Sequence, residues 1–504
     1  MAHTISSLLH GLNVTHYGDH IIPGGLPYHD IGHIASDTRK IHPGGLYVCL
    51  AQECERASLY IEEAIARQAQ VVLMESGIAL SIEVQEQAAH HRMDLLKVEN
   101  VRYALSQIAA HMYPNVPKTL VAVTGTNGKS SVASFVRQIW SYAGHVSAYW
   151  GTVGLEADIE GIEVDSTLTT PDALTLSQTL QNLAKAGTTH VSLEASSHGL
   201  EQHRLSGMPL NAAGFTQLSQ DHLDYHGTME QYFKAKMRLF EEVLLPTGTA
   251  VLNADVPEFE PLKKICEGRH IQVLDYGHQA HHLRIEHINP TSHGFEVTCE
   301  IFDKKYTFSL PLLGPFQIQN ALCALGLALA TDVDLPTAIK ALEHLKSVRG
   351  RMELVGKTAQ GATVFVDYAH TPDALATALT ALKGHTSQKL WVVFGCGGDR
   401  DPTKRILMGQ VATRNADEVI VTDDNPRSED PAAIRSQILQ GCGPHVMEVG
   451  DRLAAIEKAC AQAQKGDIIV VAGKGHEQGQ IVGDQVFPFD DIQVTQTLCE
   501  GDVS

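Results

Sequence analysis

The sequence has no stretch of about 18 consecutive apolar residues, and no basic amino-terminal segment that leads into an apolar run. We therefore expect no membrane insertion and no secretion, and we expect a cytoplasmic location. Basic residues are also scarce, since 38 Lys and Arg stand against 58 Asp and Glu, for a net charge of −20. A chain of this charge is poorly suited to neutralise many phosphates of a duplex, so we expect no nucleic-acid partner.

Cysteine pairs with CxxC spacing are absent, and so is an HExxH segment. The nine cysteines are an odd number, which does not indicate a disulfide framework and favours reduced thiols. Charged residues make up 19% of the chain without a long block of one sign, which excludes wholesale disorder. At 504 residues the chain is long enough for about three domains of roughly 150 residues each.

Three successive segments alternate short apolar strands with helices. We place them at 1–115, 116–347 and 348–504, because Pro114 and Pro117 disfavour helix continuation near the first boundary. The alternation predicts an α/β fold, with a central parallel sheet that is covered on both faces. Within the first segment the spacing predicts a helix over 59–68. Ligands of such sheets bind beyond the carboxyl ends of the strands.

A glycine-rich loop with the sequence TGTNGKSS, residues 124–131, joins an apolar strand to an amphipathic helix. Glycines let backbone N–H groups turn toward phosphates, Lys129 suits the β and γ phosphates, and Ser130 offers a hydroxyl to Mg²⁺. Val123 stands where the strict phosphate-loop pattern has glycine, so the loop is a variant. The alternative is a structural glycine turn with an exposed lysine. We predict a nucleotide-phosphate site at Gly125, Thr126, Asn127, Gly128, Lys129, Ser130 and Ser131.

Carboxylates and imidazoles follow later strands of the central segment. Glu194 ends a strand at the sheet edge of the glycine-rich loop, which suits a Mg²⁺ ligand, but such a glutamate is also typical of a helix cap or a solvated position. The segment DHLDYHG, residues 221–227, is either a metal site or a polar loop. Further on, FKAKMR has the pattern of a helix surface, and composition alone distinguishes neither Lys234 nor Lys236.

Polar loops follow the strands of the third segment, and they contain DYAH, GCGGDR, DDNPR and AGKGHE. Arg400 and Arg427 can each hold a carboxylate in a bidentate fork. Asp424 and Glu477 can accept hydrogen bonds from ammonium groups. The set suits an amino-acid ligand, and the alternative is a surface rich in charged turns.

Eight motifs occur in one order: TGTNGKSS, LEASSHGL with Gln202 and Arg204 after it, DHLDYHG, GRME, DYAHTPDAL, FGCGGDRD, DDNPR and AGKGHE. Over residues 30 to 490 the chain therefore resembles the Mur ligase family. The resemblance implies a small N-terminal α/β domain that binds a UDP-linked substrate. It also implies a central P-loop-type ATP-binding domain with a parallel sheet, and a C-terminal Rossmann-like domain that binds an amino acid.

The resemblance further implies an ATP-dependent amide ligase of peptidoglycan precursor synthesis. A carboxylate of UDP-N-acetylmuramoyl-L-alanyl-D-glutamate takes the γ-phosphate of ATP, and an amine then attacks the acyl phosphate. In the family the arginine of DNPR, here Arg427, accompanies meso-2,6-diaminopimelate, whereas lysine-adding relatives lack it. These small molecules are the expected partners, and the chain is expected to be a monomer.

Residue roles follow from the same resemblance. Lys129, Glu194, His222 and Lys236 are the implied catalytic residues. Ser130, Glu194, His222 and Lys236 are the implied ligands of two Mg²⁺ ions, with Lys236, rather than Lys234, carbamylated. Asn320, Arg351 and Asp367 are the implied nucleotide contacts beyond the glycine-rich loop. The implied contacts of the muramoyl peptide and uridine are Ser36, Thr38, Thr169, Thr170, Ser196, Gln202 and Arg204. Those of diaminopimelate are Arg400, Asp424, Asn425, Pro426, Arg427, Gly473 and Glu477.

Two positions depart from the family pattern. The usual Asp-Gly-His after the first-domain strand is absent from residues 52–57, and Gln317 stands where the family commonly has asparagine. The departures concern uridine and adenine contacts. Three alternatives remain: a P-loop nucleotide switch or motor, a non-catalytic member of the family, and the related folylpolyglutamate synthase. The first is disfavoured because the sequence has no NKxD-type base-reading motif.

Overall fold

The computed structural model describes residues 3–17, 29–159, 161–162, 168–291 and 294–500. The first domain has a sheet in the order β2-β7-β6-β5-β4, in which β4 to β7 are parallel and β2 is antiparallel. Its elements are β1 (His3–Thr4), α1 (Ile5–Leu8), β2 (Thr15–His16), β3 (Asp30–Ile31), β4 (Ile34–Ala35), β5 (Leu46–Val48), α2 (Cys54–Ala66), β6 (Val71–Glu75), α3 (Ile82–His90), β7 (Asp94–Val98) and α4 (Val101–Met112).

The helix predicted over 59–68 begins earlier, at Cys54, and ends earlier, at Ala66. Its buried residues are spaced for one helical face, and Ala57 at the start of that face already packs into the core. The predicted start was wrong because the polar first turn, with Glu55 and Arg56, conceals the pattern.

The central domain is built on a sheet in the order β10-β9-β11-β8-β12-β13-β14-β15-β16-β17. Its strands are β8 (Thr119–Thr124), β9 (Ser147–Gly151), β10 (Gly154–Ala157), β11 (His190–Glu194), β12 (Leu210–Phe215), β13 (Leu244–Asn253), β14 (Gln272–Gly277), β15 (Leu283–Thr291), β16 (Gly294–Ile301) and β17 (Lys304–Leu310). Its helices are α5 (Lys129–Tyr142), α6 (Ala173–Ala186), α7 (Ser197–Glu201), α8 (Leu223–His226), α9 (Met229–Arg238), α10 (Phe259–Gly268), α11 (Phe316–Leu329) and α12 (Leu335–Leu342).

Strand β8 lies inside this sheet and is covered on both faces, as predicted. Leu120 and Ala122 belong to one apolar cluster, and Val121 and Val123 belong to the cluster on the opposite face. Because β11 and β12 pair with β8 in parallel, their carboxyl ends meet the glycine-rich loop at one sheet edge. The fold thus brings that loop and the end of β11 together.

The central sheet is parallel from β9 through β15, as predicted, and antiparallel strands extend it at both edges. Strand β10 is antiparallel to β9, and β15, β16 and β17 form an antiparallel meander. Along β16, Phe295, Val297, Cys299 and Ile301 are buried in alternation with more exposed residues. This period of two is the signal of a sheet with one covered face, and it is visible in the sequence.

The third domain has a sheet in the order β18-β19-β23-β20-β21-β22, parallel except for β18 at its edge. Its elements are β18 (Glu353–Lys357), β19 (Thr363–Asp367), α13 (Pro372–Lys383), β20 (Leu390–Phe394), α14 (Thr403–Asn415), β21 (Glu418–Val421), α15 (Pro431–Leu439), β22 (Met447–Glu448), α16 (Arg452–Gln462), β23 (Ile468–Ala472), β24 (Gly479–Val482), β25 (Gln485–Pro488) and α17 (Asp491–Glu500).

The α/β fold class with parallel-sheet domains is confirmed, and each main sheet lies inside one of the three predicted segments. The boundaries at 115/116 and 347/348 stay a prediction. Across the described ranges, none of the helices combines the length and the apolar character that a bilayer crossing requires.

Candidate active site

The glycine-rich loop leads from Thr124 at the end of β8 into α5, which begins at Lys129. Gly128 has a φ of 87°, and a Cβ at this position would overlap with Oδ1 of Asn320, so the position requires glycine. The Oγ1 of Thr216 donates to the carbonyl of Asn127 at 2.6 Å and fixes the loop from the neighbouring strand. The unpaired N–H groups at the start of α5 therefore face a position that suits a phosphate.

The ammonium group of Lys129 folds back onto its own loop. Nζ donates to the carbonyls of Gly125 at 3.1 Å and Thr126 at 2.9 Å. Burial lowers the pKa of Lys129, while the nearby carboxylates of Glu194 and Asp221 act in the opposite direction. The cation thus lies beside the phosphate position and is held by backbone acceptors.

Glu194 ends β11 and is 1% exposed. Its Oε1 accepts from the hydroxyl of Tyr149 at 2.7 Å and from the backbone N–H of Thr152 at 2.8 Å, and its Oε2 accepts from Oγ1 of Thr152 at 3.0 Å. Tyr149 also interacts with the side chain of Ser130, and burial next to Glu194 raises the tyrosine's pKa well above its usual value. Ser130 and Glu194 are therefore neighbours, joined by a tyrosine that the sequence analysis missed.

Lys236 and Lys234 lie on the same helix, α9, in opposite environments. Lys236 is 1% exposed, its Nζ donates to the carbonyl of Gly125 at 2.8 Å, and it lies 4.4 Å from the centre of the Tyr232 ring. Burial, and then the charge of Lys129, lower the pKa of Lys236 well below its usual value. Lys234 is exposed and forms an ion pair with Glu230 at 2.9 Å. Only Lys236 faces the glycine-rich loop.

His222 precedes α8 and has a left-handed φ of 52°. Its ring lies edge to face with that of His198, with 4.9 Å between centroids, and its Nε2 is 3.5 Å from the carboxylate of Asp221. Within the described ranges, no three His, Cys, Asp or Glu side chains surround a common metal position. A metal here therefore needs further ligands, such as a hydroxyl, a modified lysine or phosphate oxygens.

The predicted muramoyl-peptide residues of the central domain form one connected group. Oγ1 of Thr170 donates to the carbonyl of Glu194 at 2.7 Å and accepts from the N–H of Ser196 at 2.9 Å. Arg204 donates to the carbonyl of Thr170 at 2.5 Å and to Oε1 of Gln202 at 2.7 Å. Thr169 joins the group through Thr152, with 3.1 Å between their hydroxyl oxygens.

Ser36 and Thr38 lie apart from that group, in the first domain after β4. Among the described residues, neither hydroxyl forms a hydrogen bond with the group in the central domain. A polar cavity of about 300 Å³ lies between the two domains, with Gln202 on its wall. Its other lining residues are Gln52, Glu75, Asn100, Arg102, Glu201, His203, Tyr225 and Arg238. Gln52 belongs to the segment where the sequence departs from the family pattern.

A second cavity, of about 530 Å³, separates the glycine-rich loop from the third domain. The predicted nucleotide contacts Asn320, Arg351 and Asp367 all line it. The Arg351 guanidinium lies 4.4 Å from the centre of the Tyr368 ring. Asp367 accepts from the N–H groups of Met352 at 2.6 Å and Ala369 at 2.8 Å, and burial raises its pKa.

Gln317, the second departure from the family pattern, is buried at the start of α11. Its Oε1 accepts from Nδ2 of Asn320 at 2.9 Å. The bond turns Oδ1 of Asn320 toward Gly128 in the glycine-rich loop. The longer side chain therefore orients a residue of the predicted nucleotide site.

The predicted amino-acid residues gather where β20, β21 and β23 end. Asn425 donates through Nδ2 to Oε2 of Glu477 at 2.8 Å, and its backbone N–H donates to Asp424 at 2.6 Å. Arg427 donates to the carbonyl of Gly398 at 2.8 Å. Pro426, between Asn425 and Arg427 in the sequence, is buried. A Cβ at Gly473 would lie 2.7 Å from Oδ2 of Asp424. Arg400 is exposed on the adjoining loop.

Arg405 supports these loops, although the sequence analysis did not single it out. The side chain is 1% exposed and donates to both carboxylate oxygens of Glu429, each at 2.8 Å. One of these two guanidinium nitrogens also donates to the carbonyl of Gly397 at 3.3 Å. The arginine follows GGDRD in the sequence, but nothing local indicates that it points inward.

Comparisons with known proteins identify relatives of this chain. Family models of the Mur ligase middle domain and of the Mur ligase, glutamate ligase domain match residues 123–328 and 350–475. A protein of Agrobacterium fabrum (strain C58 / ATCC 33970) named UDP-N-acetylmuramoyl-L-alanyl-D-glutamate--2,6-diaminopimelate ligase is 46% identical over 472 residues, which are 94% of each chain. A solved structure of a ligase with that name has a TM-score of 0.70 and 32% identity, and the match covers 99% of both chains.

A MurF ligase from Thermotoga maritima, solved in complex with ADP, shares the fold with a TM-score of 0.60 at 18% identity. That match covers 93% of this chain and 96% of the other. The identity and coverage of the Agrobacterium relative, together with the two matched domains, show that the chain belongs to the Mur ligase family.

Proposed function

We propose that this protein is an ATP-dependent amide ligase that joins meso-2,6-diaminopimelate to UDP-N-acetylmuramoyl-L-alanyl-D-glutamate in peptidoglycan precursor synthesis. The observation that carries the proposal is the cavity between the glycine-rich loop and the third domain, because its walls contain residues of both domains. The names and the coverage of the relatives support the substrates. Residues 1–115 then bind the UDP-linked substrate, 116–347 bind ATP, and 348–504 bind the amino acid.

In the first step the terminal carboxylate of the UDP-linked substrate attacks the γ-phosphorus of ATP, and ADP leaves. The N–H groups at the start of α5 and the ammonium of Lys129 compensate the negative charge of the phosphates. The group around Thr170, Ser196 and Arg204 lies directly beyond Glu194, which is a suitable place for the peptide end of the substrate. The product is an acyl phosphate.

In the second step the amine of diaminopimelate attacks the acyl phosphate, phosphate leaves and the amide bond forms. The third domain lies across the cavity from the glycine-rich loop, so its loops can deliver the amino acid without a further partner. Held there, the amine and the acyl phosphate react as neighbours, which removes much of the entropic cost of the encounter. We infer a monomeric enzyme, and a cytoplasmic one because its substrates are ATP and a UDP-linked sugar.

The donor groups present fit Mg²⁺. Ser130 and Glu194 supply a hydroxyl and a carboxylate, which are hard oxygen ligands, and Mg²⁺ commonly combines one or two carboxylates with substrate phosphates and water. Ser130, Glu194, His222 and a carbamylated Lys236 would hold two ions. When bound, Mg²⁺ supplies charge compensation to the phosphates.

Lys236 suits carbamylation for two reasons on the structure. Its lowered pKa favours the neutral amine, which is the form that adds CO₂, with formation of a C–N bond and release of a proton. The carbamate is an anion, and beside Gly125 it would lie next to the ammonium of Lys129, which donates to the same carbonyl. The modification therefore gains an attraction to that cation as it creates oxygen ligands.

Phosphate release from ATP tests the function. The purified chain is assayed with Mg²⁺ and UDP-N-acetylmuramoyl-L-alanyl-D-glutamate, and with meso-diaminopimelate, L-lysine or no amino acid. We expect sustained release with meso-diaminopimelate alone. Release with lysine would contradict the specificity, and release that no amino acid stimulates would contradict the ligase function.

A further inference from the structure

Lys474 is a buried cation in the third domain to which the reaction described above assigns no role. It follows Gly473 after β23, and its side chain is 0% exposed. Nζ donates to Oδ1 of Asn425 at 3.1 Å, to Oε2 of Glu477 at 3.1 Å and to the carbonyl of Gly479 at 2.6 Å. An ammonium group has three N–H donors, so each of them has an acceptor.

These three acceptors belong to different segments. Asn425 lies in the loop after β21, and Glu477 lies in the loop after β23. Gly479 begins β24, which forms a hairpin with β25. The hairpin also donates the N–H of Ile481 to Oδ1 of Asn425 at 2.9 Å. Lys474 therefore joins two loops of the predicted amino-acid site to the hairpin that packs beside them.

The contacts determine which way the amide of Asn425 points. Oδ1 faces two donors, Lys474 and the N–H of Ile481, so Nδ2 is turned toward Oε2 of Glu477. Oε2 thus accepts from both Asn425 and Lys474, whereas no hydrogen bond among the described residues reaches Oε1. One carboxylate oxygen is held in place and the other is available.

We propose that Lys474 is a positioning residue for the amino-acid substrate: it fixes the Asn425 amide and the Glu477 carboxylate so that Oε1 of Glu477 faces the substrate's ammonium group. This proposal rests on the proposed function. The carboxylate of Glu477 is also the ion-pair partner of this buried ammonium, at 3.1 Å. Because Lys474 contacts neither the glycine-rich loop nor the muramoyl-peptide residues in the structure, its effect is confined to the second step.

The variant Lys474→Met tests the proposal, since it keeps the length of the side chain and removes its charge and donors. Steady-state assays measure KM for meso-diaminopimelate, ATP and the UDP-linked substrate. Hydroxylamine, which converts an acyl phosphate to a hydroxamate, measures the first step in the absence of amino acid. We expect KM for diaminopimelate to rise about tenfold to a hundredfold, with the other two KM values and the hydroxamate yield nearly unchanged.

Lys389→Met is the matched control. Lys389 belongs to the same domain and pairs with Glu418 at 2.7 Å, but it is exposed and lies before β20, at the opposite end of the sheet's strands. We expect this variant to keep all three KM values. A difference between the two variants would show that the effect comes from the Lys474–Glu477 pair and not from the loss of any lysine–glutamate pair in this domain.

An unchanged KM for diaminopimelate in a folded Lys474→Met protein would overturn the proposal, and so would an equal loss of hydroxamate formation and of overall turnover. If Lys474→Met fails to fold, Lys474→Gln, which keeps an N–H donor, is judged by the same readouts. Failure of both variants to fold would assign the residue to stability and overturn the positioning role. An inactive wild-type chain is a different result, because it contradicts the proposed function itself.

Discussion

The carboxylate of Glu194 occupies the space into which a side chain at position 151 would project. A Cβ on Gly151 would lie 2.5 Å from both Cγ and Cδ of Glu194, which is far inside van der Waals contact. Gly151 ends β9, next to β11 in the sheet, so the two strands approach closely where Glu194 leaves the sheet. The position of this carboxylate therefore depends on a glycine of the adjacent strand.

We predict that Gly151→Ala lowers kcat about a hundredfold while the protein stays folded, because a displacement of Glu194 by about 1 Å misplaces a group beside the reacting phosphate. Turnover and circular dichroism are the measurements. Gly268→Ala is the control, since that glycine is exposed at the end of α10 and a Cβ there meets open space. Equal activity of the two variants would contradict the prediction.

Arg427 provides a test of amino-acid specificity. We predict that Arg427→Ala raises KM for meso-diaminopimelate about a hundredfold, and that Arg427→Lys recovers only part of this loss, because an ammonium group lacks the bidentate fork. KM for ATP should stay constant. Arg414→Lys, on the exposed end of α14, serves as the control. A full recovery with lysine would show that charge alone is recognised.

Carbamylation of Lys236 is testable with labelled CO₂. We expect a carbamate signal in the ¹³C NMR spectrum of the protein equilibrated with ¹³C-bicarbonate, because burial favours the neutral amine of Lys236. The signal should disappear in Lys236→Ala and persist in Lys234→Ala, whose lysine is exposed and paired with Glu230. Loss of the signal in Lys234→Ala would place the modification on Lys234 and contradict the prediction for Lys236.

We predict that the free energy of unfolding depends on pH through the buried His190. It is 7% exposed, next to the rings of Trp140 and His145, and burial lowers its pKa from 6.5 to about 4. Above pH 6.5 the residue is neutral in both states. As the pH falls toward 4, the unfolded chain binds a proton that the folded chain does not, so the free energy of unfolding decreases.

The decrease from this one group is on the order of 2 kcal/mol. Urea unfolding at pH 7 and pH 5 is the measurement. We expect His190→Gln to show a smaller loss between these two values than the wild type. His445→Gln, at an exposed histidine, should behave like the wild type. An equal loss of unfolding free energy between pH 7 and pH 5 in all three proteins would contradict this prediction.

The glycine-rich loop could be predicted from sequence because strand, loop and helix are contiguous, and their local pattern determines where Lys129 and Ser130 lie. Glu194 could also be placed at the same edge, since parallel strands align their carboxyl ends. The choice between Lys234 and Lys236 could not be made from composition. It depends on how α9 packs against the loop, which is a tertiary contact, and only the family resemblance indicated it.

For one reason, the sequence analysis assigned no role to Tyr149, Arg405 and Lys474. Each acts on a residue that is distant in the sequence or on another loop, and burial of a polar side chain has no local signature. The antiparallel meander is different, because the alternation along β16 was present in the sequence and a search for period-two patterns would have found it.

The ammonium of Lys129 is already bound before any nucleotide arrives, by the carbonyls of Gly125 and Thr126. An incoming triphosphate must therefore compete with the protein's own backbone for this cation. The measured affinity for ATP then reports the difference between two sets of hydrogen bonds, not the strength of the new set. A moderate affinity is accordingly compatible with strong contacts to the phosphates, and release of ADP is helped by a lysine that has other acceptors to return to.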